Sequence, residues 1–318
     1  MSTRPTGAWR ATHARSPTST LRKTSPRSNS RGGSSLDRVH EAPVRRATTS
    51  VRVRAIDGTQ VDDRPDRLAT EEPMEIRIQG PGGAAQPVAV TMRTPGNDFE
   101  LAVGFLLTEG VLDDPDDVAS VAYCLEGSGA QQYNVVTVTT RRSVRDDIVQ
   151  RPFAVGSSCG VCGKATLDEV EVRCPPVASG PIVRRSVLAE LPAKLRAEQA
   201  VFDSTGGLHA AACFAVDGTL VALREDVGRH NAVDKLVGHA AMSEQLPMSD
   251  SILMVSGRVS FEIVQKAAVA RIPILCAVSA PSSLAIEAAE RFGQTVIGFL
   301  RDDRCNLYCG DARVDITA

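Results

Sequence analysis

The sequence predicts an α/β protein with an α+β N-terminal part and a C-terminal part built on a partly parallel sheet. Three observations carry this. From residue 251 onward, apolar strand patterns over 252–255, 274–278 and 295–300 alternate with helix patterns over 261–270 and from Ser282 or Ser283 to Phe292. Such β-α-β-α-β runs make parallel strands with right-handed crossovers. Asp217-Gly218, between apolar runs over 211–216 and 219–223, is a strong hairpin signal. Earlier in the chain, 51–54 and 75–78 alternate as half-buried strands do and are read as a hairpin-forming pair.

The remaining elements follow in order. Residues 88–92 read as a third strand, and Asn97-Asp98-Phe99-Glu100 has the Asn-x-x-Glu form of a helix N-cap with its reciprocal glutamate. The helix it opens carries Leu101, Ala102, Phe105 and Leu106 and ends near Gly110. Two more strands are expected over 118–124 and 134–138. Residues 186–202 have a helical pattern of Leu188, Leu191, Leu195 and Val201, with Pro192 as an interruption or second start. A dense polar run, 224–231, leads into a helix whose apolar face is Ala232, Val233, Leu236, Val237 and Ala240. Ser260 is read as the cap of the helix over 261–270, and Gly293 as a C-terminal stop.

Length and composition bound the rest. At 318 residues, 42% hydrophobic and 23% charged, the chain can bury a large core. Four segments are expected: a disordered basic arm over 1–48, an α+β domain over 49–150, a cysteine-bearing connection over 151–183, and an α/β ligand-binding domain over 184–318. No apolar run approaches the roughly 20 residues of a membrane helix, and no secretory signal is evident, so a cytoplasmic protein without membrane contact is expected. The eight cysteines are too scattered for a secreted disulfide scaffold and read mostly as reduced thiols; Cys124, Cys174, Cys213 and Cys276 read as small buried hydrophobes. The net charge of −2 hides an asymmetry: residues 1–46 hold ten Lys or Arg against Asp37 and Glu41, leaving −10 on the rest. The arm reads as solvated, although its Arg- and Ser-rich, acid-poor make-up is also that of a transit peptide. A folded part at −10 argues against a general nucleic-acid surface.

The chemistry centres on Ser158-Cys159-Gly160-Val161-Cys162-Gly163. A thiolate is the reactive form of cysteine, and the helical pattern from Lys164 would place Cys162 near exposed N–H groups and a lysine, both of which favour ionisation. Three uses are open: half of a zinc site completed by Cys305 and Cys309, a dithiol oxidoreductase, or a sulfur carrier whose glycine-flanked loop swings a persulfide. Ligands of parallel sheets sit at the carboxyl ends of the strands. Those ends carry Ser256-Gly257-Arg258, Ser279-Ala280-Pro281-Ser282 and Arg301-Asp302-Asp303-Arg304, a set that suits a phosphate-bearing ligand beside helix N-termini. Arg258 and Arg304 are the best anion contacts. His209, after Gly206-Gly207, reads as a satisfied loop histidine or a ligand contact, and Glu225, Asp226, Arg229 and His230 as a solvated salt-bridged loop or part of a site. A zinc deaminase is excluded, because the residue two after His209 is alanine and the cysteine pair precedes the histidine.

Several ordered motifs carry a family resemblance. Pro95-Gly96-Asn97-Asp98-Phe99-Glu100-Leu101-Ala102, Ser158 to Gly163, Asp226-Val227-Gly228-Arg229-His230-Asn231-Ala232 with Asp234-Lys235, Ser256-Gly257-Arg258 and Phe299-Leu300-Arg301 together resemble the FdhD family of formate dehydrogenase accessory sulfurtransferases, over about residues 51–318. The resemblance implies a cytoplasmic, homodimeric sulfur carrier. Such a protein takes sulfur from a cysteine desulfurase and hands it to the molybdenum of the bis(molybdopterin guanine dinucleotide) cofactor destined for formate dehydrogenase. It implies a cytidine-deaminase-like α/β/α C-terminal domain without the deaminase zinc ligands, and no tightly held metal. The family's persulfide cysteine falls on Cys159 with Cys162 as partner, and its cofactor-contacting stretch on Phe299, Leu300, Arg301, Asp302, Asp303 and Arg304. Asp302 and Asp303 would repel phosphate unless they turn away or recognise a guanine edge.

Overall fold

A computed structural model describes residues 46–124, 133–143, 153–154, 176–177 and 180–317. These fall within one compact unit, Val39–Ala318. Residues 1–45 of the basic arm and the whole of Ser158 to Gly163 lie outside the described residues.

The chain opens with a two-stranded hairpin, β1 (Thr48–Asp57) and β2 (Gln60–Ala69), in register from Thr48↔Ala69 to Asp57↔Gln60. The 51–54 strand is therefore paired with β2 and not with the strand over 75–78. Alternation could not reveal β2, whose sequence is polar and exposed along nearly its whole length. A five-stranded sheet follows, ordered β5-β6-β3-β4-β7 from β3 (Glu72–Gln79), β4 (Gln86–Arg93), β5 (Val118–Tyr123), β6 (Val135–Thr140) and β7 (Phe153–Ala154). Across it lies α1 (Asp98–Thr108), apolar on every side and buried from Leu101 to Thr108. Such a helix belongs in a core, and Leu101, Phe105 and Leu106 pack on Met74, Ile76, Ile78, Val136 and Val138. Each large side chain so buried contributes roughly 1.5–3 kcal/mol.

The expected cap of α1 is not formed. Asn97 is left-handed, with φ 57°, and makes no side-chain cap bond. The Gly96 N–H instead donates to Asp98 Oδ1 (3.1 Å), while Glu100 is drawn away by Arg224, whose guanidinium reaches both of its oxygens at 2.5 and 2.7 Å.

The second sheet has six strands, ordered β10-β9-β11-β12-β13-β14. Its parallel centre is β11 (Ser251–Val255), β12 (Ile274–Ala277) and β13 (Thr295–Arg301). The antiparallel flanks are the hairpin of β9 (His209–Ala215) and β10 (Leu220–Asp226) on one side and β14 (Arg304–Cys309) on the other. Gly218 in the hairpin turn has φ 81°, and Asp217 Oδ1 accepts from the Thr219 N–H (2.9 Å), as the Asp-Gly signal predicts.

Helices cover both faces. α2 (Arg185–Ala197) packs Leu188, Leu191 and Leu195 against Ala210, Ala212, Phe214, Ile252 and Cys276. It continues through Pro192, with Leu188, Leu191 and Leu195 buried on one face. The short α3 (Ala200–Thr205) follows. The other face carries α4 (Arg229–Met242), α5 (Phe261–Val269) and α6 (Ser283–Arg291), which bury Ala232, Leu236, Val264, Ala267 and Ala288 against Ala211, Leu253 and Leu275. A short parallel pair, β8 (Val183–Arg184) with β15 (Val314–Asp315), ties α2 to the C-terminus. The mixed α/β fold with its partly parallel sheet is the one expected. No described helix is long and apolar enough to cross a membrane.

The two sheets meet through α1 and α4, which cross at Gly104 and Gly238. A Cβ on Gly104 would collide with the Asp234 carbonyl, and one on Gly238 with that of Glu100. Buried ions flank this crossing. Lys266 pairs with Asp234 (2.8 Å) and Glu109 (2.9 Å), and Thr108 Oγ1 donates to Asp234 (2.6 Å).

Candidate functional site

The carboxyl ends of β11, β12 and β13 form one edge of the six-stranded sheet, and α4, α5 and α6 all begin there. Beyond Val255 the chain stays pinned to β9: the Ser256 N–H donates to the Ala210 carbonyl (3.0 Å) and Ser256 Oγ accepts from the Ala210 N–H (2.9 Å). Gly257 and Arg258 then project past the sheet. Val259 bridges to the stretch after β12, its N–H donating to the Ala280 carbonyl (3.2 Å) while its own carbonyl accepts from the Ser282 N–H (3.0 Å). The Phe299 N–H of β13 donates to the Ser279 carbonyl (3.2 Å). The three predicted strand-end segments are thus stitched into one surface.

Helix starts add unpaired donors. Ser282 Oγ caps α6 by accepting from the Ala285 N–H (3.3 Å). Gly228 and Ser260, which precede α4 and α5, make no side-chain cap bond. Ser260 was expected to cap; its hydroxyl instead lies 3.1 Å from His230 Nε2. First-turn N–H groups left this way favour anions.

His209 opens β9 opposite Asp226, and its imidazole lies against Gly257: a Cβ there would stand 3.2 Å from Nδ1. Burial pushes the imidazole below its ordinary value, and the positive charges of Arg229 and Arg258 add to this against the opposing pull of Asp226. At the far end, Phe299 has φ 52° and is 45% exposed. A left-handed aromatic residue is strained, and such strain gathers where a side chain must be aimed. Gly298 permits it, because a Cβ there would come within 3.0 Å of Pro281 and of the Tyr308 ring. Asp302 (φ 50°) and Asp303 make a two-residue turn between the paired Arg301 and Arg304, and all four are exposed. Leu300 is buried in the core and offers a ligand only its backbone.

The polar run over 224–231 is not a solvated loop. Asp226 is fully buried: its carboxylate pairs with Lys235 (2.7 Å) and accepts from the N–H groups of Thr94 (3.1 Å) and Gly228 (2.8 Å) and from Asn231 Nδ2 (3.0 Å). Glu225 accepts from the N–H groups of Val201 and Phe202 at the start of α3. These partners come from segments distant in sequence, so local pattern could not supply them. Arg229, read from the sequence as part of that loop or of a site, is the first residue of α4, and its Nε is buried.

His230 is partly buried beside this edge. Desolvation first, then Lys266 and Arg229, push its imidazole down to about 4 from 6.5, against Glu262 and Glu109. In the window between those values the unfolded chain binds more protons than the folded one. Stability is then full above pH 6.5 and falls as pH drops toward about 4, by about 3 kcal/mol at most. Urea denaturation across that window should show the decline, and His230→Gln should flatten it.

A profile described as the FdhD/NarQ family matches residues 69–315. The chain belongs to the FdhD/NarQ family. Among similar members is a protein named sulfur carrier protein FdhD from Streptomyces coelicolor, 53% identical over 273 residues, which cover 84% of this chain and 95% of that one. One of the same name from Mycobacterium tuberculosis is 50% identical over 277 residues, covering 84% and 99%. Another, from Sulfurisphaera tokodaii, is 46% identical over 249 residues, covering 78% and 92%. A crystal structure from Desulfotalea psychrophila, described as a formate dehydrogenase accessory protein, superposes with a TM-score of 0.66 at 21% identity, over 85% of this chain and all of that one. That likeness shows a shared fold.

Proposed function

We propose that this FdhD/NarQ protein is a sulfur carrier that takes sulfur from a cysteine desulfurase on Cys159 and Cys162 and delivers it to the molybdenum of a bis(molybdopterin guanine dinucleotide) substrate for formate dehydrogenase. The observation that carries the reading is a Cys-x-x-Cys pair in a chain 53% identical to a named sulfur carrier over most of its length. The Cys159 thiolate attacks the outer sulfur of the donor persulfide. The donor S–S bond breaks, the donor leaves as a thiolate, and Cys159 holds –S–SH. Attack of the Cys162 thiolate on the Cys159 sulfur then releases hydrosulfide and closes a Cys159–Cys162 disulfide, so the pair supplies the two electrons that convert sulfane sulfur to sulfide.

The strand-end residues fit the acceptor. Arg258 and the uncapped helix starts suit phosphates, the exposed Phe299 ring suits a base, and the Asp302–Asp303 turn suits the donor edge of guanine. A cytoplasmic homodimer is part of the same reading. A zinc module finds less support: Cys305 packs with the α2 face of the sheet and Cys309 with the opposite face, so they are not placed to ligate one ion together.

The test is to incubate the protein with a desulfurase and cysteine and to trap and mass the peptide. One added sulfur is expected on Cys159 in the wild type and none in Cys159→Ser. Loss of two free thiols should accompany each sulfur released. Sulfur that never loads this peptide would sink the proposal, as would full formate dehydrogenase maturation with both cysteines changed to serine.

A further inference from the structure

α4 and α5 begin at the strand-end edge and end, together with α1, on the opposite side of the sheet. There Leu107 of α1, Ala241 of α4 and Val269 of α5 line a groove of about 450 Å³. That volume falls within the roughly 300–1,000 Å³ of ligand-sized pockets. α4 is 14 residues long, so about 20 Å separates the groove from the strand-end edge. The floor is apolar. Leu112 belongs to the core of the five-stranded sheet, Val237 to that of the six-stranded sheet, and Leu246 packs against both.

The rim is acidic. Asp113, Asp114, Asp116 and Glu244 line it, and no Lys or Arg does. Among the described residues these four carboxylates form no ion pair; Asp114 Oδ1 only accepts from the Asp116 N–H (2.9 Å). The neighbouring arginines are engaged, Arg142 with the Asp117 carboxylate (3.1 Å) and Arg141 Nε with the Asp116 carbonyl (3.0 Å). Three helix C-termini add carbonyl charge of the same sign. An apolar floor under such a rim repels anions and fits an apolar surface that carries Lys or Arg. The place matters as well: Arg271, next to the lining residue Ala270, donates to the Pro176 carbonyl (3.3 Å). Pro176, 14 positions after Cys162, is thereby held beside the groove.

We propose that this groove docks the protein that donates sulfur, through a donor segment whose Lys or Arg side chains meet the acidic rim while its apolar side chains enter the floor. This rests on the carrier reading and names the surface its donor uses. Donor and acceptor then engage opposite ends of α4, so neither blocks the other. The rim charges set how fast and how selectively the donor arrives, and the apolar floor holds it.

The experiment compares two donors on the full chain: a cysteine desulfurase supplied with cysteine, and glutathione persulfide, which is too small to need a docking surface. Each passes its outer sulfur to Cys159 and leaves as a thiolate. The initial rate of loading is read by mass spectrometry as the concentration of this protein is varied. Asp114→Asn, Asp116→Asn and Glu244→Gln combined should raise KM with the desulfurase by about tenfold or more, with kcat little changed, and should leave loading from glutathione persulfide as in the wild type. Ala241→Leu, which fills the floor without changing charge, should raise the same KM. Added salt should raise the wild-type KM more than that of the triple variant. Asp57→Asn, Asp62→Asn and Glu71→Gln combined remove as much charge from exposed positions elsewhere and should change nothing. Thermal melts confirm that the variants fold. An unchanged KM in the triple variant overturns the docking, and its loading from glutathione persulfide then shows that the carrier reading survives. Equal losses with both donors overturn it too, because the defect then lies at the thiols. A triple variant that keeps its KM but changes oligomeric state by light scattering assigns the groove to a second copy instead. A wild type that takes sulfur from neither donor sinks the carrier reading and the docking with it.

Discussion

Gly104→Ala and Gly238→Ala are each expected to lower stability by about 3 kcal/mol or more, a large share of the roughly 5–15 kcal/mol that holds a domain folded. The added methyl would meet a backbone carbonyl of the facing helix, and no rotamer change can move a carbonyl. The helices must separate instead, and that opens two cores at once. α1 is the lid on the five-stranded sheet, through Leu101, Phe105 and Leu106, while α4 seals one face of the six-stranded sheet, through Val233, Leu236 and Val237. Because the contact is reciprocal, one separation makes room for both methyl groups. The double variant should then cost clearly less than the sum of the singles, a coupling expected only of neighbours. Urea denaturation of the three variants checks this. Additive losses would mean that the two glycines serve separate purposes.

The sequence readily disclosed whatever depended on local period. The strands and helices from Ser251 to Arg301 lie where alternation placed them, and the Asp217-Gly218 turn is a hairpin. It did not disclose pairing between distant polar residues. Asn97 and Glu100 look like a cap and its glutamate, yet Glu100 is claimed by Arg224 and lies 3.1 Å from His239 Nδ1, contacts 124 and 139 residues away in sequence. Ser260 likewise looks like a cap and serves His230. The motifs that carried the family resemblance divide in the same way. Pro95 to Ala102 and Asp226 to Lys235 turn out to be the two sides of the α1–α4 junction, so much of what identifies the family is fold. Only the strand-end segments, with Arg229 among the junction residues, face the proposed ligand edge. The cysteine pair lies outside the described residues, and its role rests on chemistry and relatives.

Asp226→Ala should cost about 3–5 kcal/mol, because it strands the Lys235 ammonium in the interior and leaves the Thr94 and Gly228 N–H groups without acceptors. Replacing both partners, Asp226→Ala with Lys235→Met, should recover part of that loss, since removing the orphaned charge matters more than restoring the pair. Recovery will be incomplete: Lys235 Nζ also donates to the Thr94 carbonyl (2.9 Å), and Val227 N–H to Thr94 Oγ1 (3.2 Å), so the junction loses more than one ion pair. Asp226 also fixes Gly228, and Gly228 sets the start of α4 and hence the aim of Arg229. Loosening it should therefore lower hydrogen-exchange protection in the first turn of α4 as well as global stability. Urea denaturation and hydrogen exchange on the same variants check both. If Asp226→Ala and the double variant lost equal stability, the stranded Lys235 charge would not be the main cost.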